Sequence, residues 1–284
     1  MAIRQGASLG GIAWKVFGQD VSTGGLPLLM IHGFGCGAAD WGRLPQMLAS
    51  RGKRQVLCFD HRGVGGSRCT PGPCSIQDLA RDSQDVLEAA ALGNRVHLLG
   101  ISMGGMVSQH LALESPGLVA SLTLGATTHG GRDARPPPPD FLELCGRWIE
   151  SDFGDAAAQA RVAQSFVQLC APPGLRGRPG PSSRQVAQFA ATPRTRCGLE
   201  RQFGALARFN STKYLANILA PTLVIHGGAD AVIPPENGES LASKIPGARL
   251  LKWGTAGHFF WFDKPLELVS ELDIFFQESE RIEK

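Results

Sequence analysis

The sequence predicts an α/β fold built on a mainly parallel sheet, and three observations carry that expectation. Short runs of near-continuous apolarity recur along the chain, the pattern of strands covered on both faces. Helix-length amphipathic segments lie between several of them, so that strand and helix alternate. The alternation breaks once, between about Thr128 and Asn217, where a proline run at Pro136 to Pro139 opens a stretch of helical patterns and Pro/Gly-rich loops.

In chain order, residues 11–18 are expected to add an antiparallel edge hairpin with a partner near Leu28. Buried strands are expected at residues 28–31, 56–59, 96–99, 122–124, 222–226 and 249–252. Amphipathic helices are expected over roughly residues 38–50, 76–92, 102–114 and 235–244. The last segment, 265–280, carries Leu266, Val269, Leu272, Ile274 and Phe275 at positions that can share one helical face. Residues 1–127 and 218–284 thus read as one core, and 128–217 as an inserted cap.

Composition narrows the function. With 284 residues, 43% hydrophobic and 19% charged, the chain has the make-up of a globular protein with one core and an insertion. A net charge of +3 from 28 basic and 25 acidic residues is too weak to indicate a nucleic-acid partner, which needs cations concentrated on one face. Seven arginines (Arg176, Arg178, Arg184, Arg194, Arg196, Arg201 and Arg208) against Glu200 alone do enrich residues 171–210. They form either a solvated basic face or a lure for an anionic substrate. The seven cysteines are odd in number and contain no C-x-x-C pair, so they read as free thiols in a reducing compartment, with neither a disulfide framework nor a zinc site. No apolar signal segment or membrane-length run is present, and the expected location is the cytoplasm.

The chemistry sits in a few residues at strand ends. Gly100-Ile101-Ser102-Met103-Gly104 follows one apolar run and opens a helix, the context in which a G-x-S-x-G turn presents its serine as a nucleophile. A serine hydroxyl needs a base to take its proton and an acid to orient that base. Asp230 follows the 222–226 run in His226-Gly227-Gly228-Ala229-Asp230, and His258 follows the next run in Gly257-His258, so both fall at carboxyl ends of strands. Of the seven histidines only His258 combines a late position with a glycine-flanked loop; His32 and His226 read as structural. No H-x-x-x-H or H-E-x-x-H pair offers a metal site. The oxyanion donors are expected to be the Met103 amide, at a helix N-terminus, and the Phe34 amide in Ile31-His32-Gly33-Phe34-Gly35. The aromatics at Phe259 and Trp261 beside His258, with Trp41, are expected to wall a substrate pocket.

Together these motifs, with Phe59-Asp60-His61-Arg62-Gly63-Val64-Gly65-Gly66-Ser67, resemble the α/β-hydrolase fold family over about two thirds of the chain. The resemblance implies a mostly parallel eight-stranded sheet flanked by helices, roofed by the cap, and a structural role for Asp60 and Arg62. Ser102 separates the chain from haloalkane dehalogenases and epoxide hydrolases, which carry Asp there. Gly35 separates it from the perhydrolases, which usually have Pro, and Ile101 differs from the Asn frequent in carbon-carbon hydrolases. Strigolactone-type receptors share the His-Gly-Phe-Gly loop, but not the Asp-His-Arg-Gly pattern. The expected function is a cofactor-independent serine hydrolase of a small-molecule carboxylic ester or lactone. The alternatives are a carbon-carbon bond hydrolase of an anionic diketone and a weakly catalytic ligand receptor. Neither the substrate nor the oligomeric state is legible in the residues.

Overall fold

The buried four-residue runs Leu28–Ile31 and Val56–Phe59 have no polar face to give to water, and the chain buries them in the middle of a sheet. The computed structural model describes residues 2–19, 25–70, 72–175 and 181–282. Its elements in order are β1 (Ala2–Ala7), β2 (Ala13–Phe17), β3 (Leu28–Ile31), α1 (Leu44–Gly52), β4 (Val56–Phe59), α2 (Ile76–Ala89), β5 (Val96–Ile101) and α3 (Met103–Glu114). There follow β6 (Val119–Gly125), α4 (Pro139–Glu150), α5 (Ala156–Cys170), α6 (Pro181–Ala191), α7 (Arg196–Ala207), β7 (Thr222–Gly227), α8 (Glu236–Lys244), β8 (Arg249–Trp253), α9 (Phe260–Asp263) and α10 (Pro265–Ile282).

The strands form one eight-stranded sheet in the order β1-β2-β4-β3-β5-β6-β7-β8, in which β2 alone runs against the rest, antiparallel to both β1 and β4. Chain order reverses at β3: β4 lies on one side of it and β5 on the other. A crevice opens at the carboxyl ends of two strands where their connections leave in opposite directions. The loops after β3 and β5 therefore meet there, and those loops carry Phe34 and Ser102. α2 opens with a reciprocal cap, in which Ser75 Oγ accepts from Asp78 N at 3.2 Å and Asp78 Oδ2 accepts from Ser75 N at 2.9 Å. Among the described residues, α4 to α7 occupy the chain between β6 and β7, where the strand–helix alternation of the sequence lapses.

Several expectations need correction. β2 pairs with β1 and β4, not with a strand near Leu28; the β1 run, AIRQGA, is too polar to stand out as a strand. The 38–50 segment is a short 3-10 turn, Ala38–Trp41, followed by α1, which starts with Pro45 in its first turn. β8 is an edge strand with Arg249, Leu250 and Lys252 exposed, so its apolar residues do not mark a doubly covered strand. α3 is not amphipathic. It is buried on nearly every side, with only His110, Leu113 and Glu114 reaching the edge of the core, because it packs against α2, β3, β5 and β6 together.

The cysteines are a further correction. Cys69, in the loop after β4, and Cys197, in α7, form a disulfide across 128 positions of sequence. Cys36, Cys58, Cys74, Cys145 and Cys170 are buried thiols. The disulfide removes the support that free thiols gave to a reducing compartment. Among the described residues no helix is long and apolar enough to cross a membrane.

Candidate active site

Ser102 sits between β5 and α3 with φ 56° and ψ −121°, a backbone conformation that a non-glycine residue holds only when its surroundings compel it. Those surroundings are visible. The Ser102 amide donates to the Gly125 carbonyl at 3.0 Å, and Thr127 Oγ1 donates to the Ser102 carbonyl at 2.7 Å. Gly104 is needed because a Cβ there would fall onto the Ile31 carbonyl at the end of β3. Gly33 lets the next loop approach, since its Cβ would lie 3.1 Å from that of Ser102.

Asp230 and His258 come from the loops after β7 and β8. The two loops are laced together by Gly228 N donating to Trp253 O at 2.7 Å and Ala229 N donating to Ala256 O at 3.0 Å. His258 Nδ1 donates to Asp230 Oδ2 at 2.8 Å. The other carboxylate oxygen accepts from the amides of Val232 at 2.8 Å and Ile233 at 2.9 Å. Burial alone would raise the Asp230 acid. The attraction of His258 and the hydrogen bonds of the His226 and His258 imidazoles overcome it, holding the carboxyl well below the usual carboxylate range. A permanent carboxylate on Nδ1 keeps that proton in place and leaves Nε2 as the basic nitrogen. His226 donates from Nε2 to the Ile233 carbonyl at 3.0 Å, the structural part expected of it.

Ser102, His258, Phe34, Gly33, Phe166 and Phe259 are among the residues that wall one cavity of about 10 Å³, room for a single water. Ser102 Oγ makes no hydrogen bond to His258 among the described contacts; the two face the same void. The Phe34 and Met103 amides, expected as oxyanion donors, have no acceptor among the described residues, and Met103 N opens α3.

Residues that the sequence did not point to hold the Phe34 loop. Gly35 N donates to Gln202 Oε1 of α7 at 2.8 Å, and Arg194 Nε donates to Gly35 O at 2.6 Å. Arg194 is buried with its guanidinium over the Phe189 ring at 4.0 Å and pairs with buried Asp40 at 3.4 Å. Burial pushes the Asp40 carboxyl up to about 6 against the pull of Arg194. No spacing in the sequence links Asp40 to Arg194; the only signal was the arginine excess in which Arg194 sits.

The expected aromatic wall is only partly there. Phe259 lines the cavity, but Trp41 and Trp261 lie behind His32, their rings 4.3 and 5.3 Å from its imidazole. The Phe259 and Trp261 rings pack against each other with centroids 4.8 Å apart, but of the two only Phe259 reaches the cavity. The arginines do not converge on the cavity either. Arg196 and Arg208 bond backbone carbonyls, Arg201 donates to Cys69 Sγ, and Arg176 and Arg178 lie outside the described residues. Asp60 accepts from Ala38 N and Gly66 N, and Arg62 forks onto Asp82, so both hold loops together. Among the described residues no group of three His, Cys, Asp or Glu could hold a metal ion.

A family model for the alpha/beta hydrolase fold matches residues 27–265. The chain belongs to that family. It is 32% identical over 242 residues to the "Putative carbamate hydrolase RutD" of Azorhizobium caulinodans, covering 85% of this chain and 87% of that protein. Among solved structures it resembles a hydrolase from Pseudomonas aeruginosa, with 28% identity, a TM-score of 0.79 and coverage of 96% and 97% of the two chains. It also resembles an esterase from Rhodococcus sp. ECU1013, with 25% identity, a TM-score of 0.79 and coverage of 98% and 99%. The alpha/beta hydrolase assignment and the eight-stranded, mostly parallel sheet agree with the expectation from the sequence motifs.

Proposed function

We propose that the protein is a cofactor-independent serine hydrolase of a small-molecule carboxylic ester or lactone. The observation that carries this reading is the 2.8 Å hydrogen bond from His258 to Asp230 in a cavity that Ser102 also walls. Ser102 Oγ attacks the carbonyl while His258 Nε2 takes its proton, and Asp230 stabilises the imidazolium that forms. The oxyanion collects hydrogen bonds from the Phe34 and Met103 amides, which have no other acceptor to give up. His258 then protonates the leaving alkoxide, and water activated by the same nitrogen releases the acyl group. Residues 128–217 act as a cap, and the small size of the cavity means that the cap must shift for a substrate to enter.

A carbamate is the second reading, favoured by the name of the Azorhizobium relative. Its carbonyl would meet the same nucleophile and donors, with nitrogen in place of carbon on one side. The anionic-diketone alternative finds no arginine or lysine among the residues that line the cavity.

The test is labelling by a fluorophosphonate, which needs an activated serine and an oxyanion site but little else, followed by mass spectrometry of the adduct. Stoichiometric labelling at Ser102 that is lost in Ser102→Ala and His258→Ala is expected. Folded wild-type protein that takes no label, or a Ser102→Ala variant with wild-type esterase turnover, would overturn the assignment. Parallel panels of esters, lactones and carbamates then separate the substrate classes.

A further inference from the structure

The cavity at Ser102 is the innermost of three voids that share walls. Phe259 separates it from a second void of about 10 Å³, which also touches Gln185, Gln188 and Phe262. Those same three residues border a groove of about 800 Å³ that opens on the surface. Trp41, Leu44, Met47, Trp261 and Leu266 make most of the remaining wall of the groove apolar. Leu266 is left 73% exposed there, large for an isolated leucine beside a groove. The only charged residues on the groove are Arg43 and Arg184; both are exposed, and neither joins an ion pair among the described residues. Arg184 belongs to the arginine-rich stretch that the cavity itself does not use.

We propose that this groove holds a linear, apolar arm of the substrate that ends in an anionic group. Phe259 is the partition through which the arm joins the carbonyl at Ser102. The inference rests on the serine-hydrolase reading for the chemistry, and on the groove alone for the binding. An aliphatic chain is the shape that fits. The intermediate void has room for about one water, and a swing of the Phe259 ring would join it to the cavity as a narrow passage suited to an unbranched methylene chain. Apolar walls reward each methylene laid along them. Two guanidinium groups with no ion pair among the described residues, and no carboxylate among the residues that line the groove, then favour an anion on the terminus of the arm. Gln188, which donates to the Ala39 carbonyl, ties α6 to the turn before α1, so the same side chain that borders the passage also sets its width.

The experiment compares p-nitrophenyl monoesters of linear dicarboxylic acids with p-nitrophenyl esters of the matching monocarboxylic acids, over chains of increasing length. In wild type, kcat/KM is expected to rise with length, and the long diacid monoester to exceed its neutral counterpart by about tenfold. Arg43→Ala with Arg184→Ala is expected to bring the two series level, and Phe259→Ala to raise the ratio of long to short substrates. A preference for short chains, or a preference for the acid terminus that survives the double arginine variant, overturns the proposal. Binding is read independently by calorimetry of an uncleaved monomethyl ester of a long diacid on Ser102→Ala. Binding that is lost in the arginine variant, from a protein whose Ser102 takes no fluorophosphonate, would sink the hydrolase reading and keep the groove. No binding to Ser102→Ala would sink the groove even where Ser102 labels.

Discussion

Asp230 and Asp40 are both buried carboxyls, yet their surroundings give them opposite signatures with pH. Asp230 is held low by the His258 charge and the imidazole hydrogen bonds despite its burial, so the unfolded chain binds its proton more readily. Its contribution to stability is therefore complete above the ordinary carboxylate range and is lost as pH falls. Asp40 is the reverse: burial raises it from 3.8 to about 6 even with Arg194 alongside. The unfolded chain gives up that proton first, so the contribution of neutral Asp40 is full below about pH 4 and fades as pH rises through 6. Urea unfolding should show wild type losing about 2 kcal/mol relative to Asp40→Asn between pH 4 and pH 7. A difference that grows with pH would show that the Arg194 pairing outweighs burial. For Asp230→Asn, loss of the carboxylate that fixes the His258 tautomer should lower kcat by about 1,000- to 10,000-fold, with KM for a short ester little changed.

At the scale of elements, the site depends on how closely α3 and the end of β3 approach. Gly104 faces the Ile31 carbonyl at the end of β3 and the His32 carbonyl just beyond it, and both are backbone atoms that cannot swing aside as a side chain could. Gly104→Ala should therefore destabilise the protein by about 3 kcal/mol, read as a lower denaturant midpoint at unchanged slope. Activity should fall further than the folded fraction, because Met103 N sits on the displaced turn. The loop after β3 is held from the other side by α7. Gln202→Leu would leave the Gly35 amide without its acceptor, and it should lower kcat while fluorophosphonate still labels Ser102 slowly. Labelling at the wild-type rate would show that the loop holds the Phe34 donor without help. These elements were legible in the sequence to different degrees. The turn at Ser102 and the strand-end positions of Asp230 and His258 could be read because each is a local pattern of small and apolar residues. The burial of α3 on all sides could not, since MGGMVSQHLALE alone does not show how many neighbours surround it.

For the molecule as a whole, the Cys69–Cys197 bridge ties the loop after β4 to α7, and so ties the sheet to the helices over the cavity. It closes 128 positions of chain, and its reduction should lower stability by about 3 kcal/mol, seen in denaturant unfolding with and without a thiol reductant. Cys197→Ser should unfold like the reduced protein and be indifferent to reductant; a further response would place the effect elsewhere. Phe141 of α4 and Phe166 of α5 line the cavity at Ser102. On the proposed role of these helices as a cap, a cavity with room for one water leaves no path for a substrate, and opening would move α4 to α7 on the sheet.

The residues of the sequence by themselves determined the α/β alternation, the parallel strands, the break at the inserted helices and the positions of Ser102, Asp230, His258, Phe34 and Met103. Apolar period, glycine placement and the backbone demands of a tight turn are properties of neighbouring residues, so they are written locally. The tertiary structure alone decided that Cys69 meets Cys197, that Arg194 and Gln202 grip Gly35, and that Trp41 and Trp261 turn away from Ser102 toward the groove. Each of these joins, or separates, side chains by the path of the chain between them. The free energy of such contacts comes from burial and geometry that exist only once the sheet has brought its distant segments together.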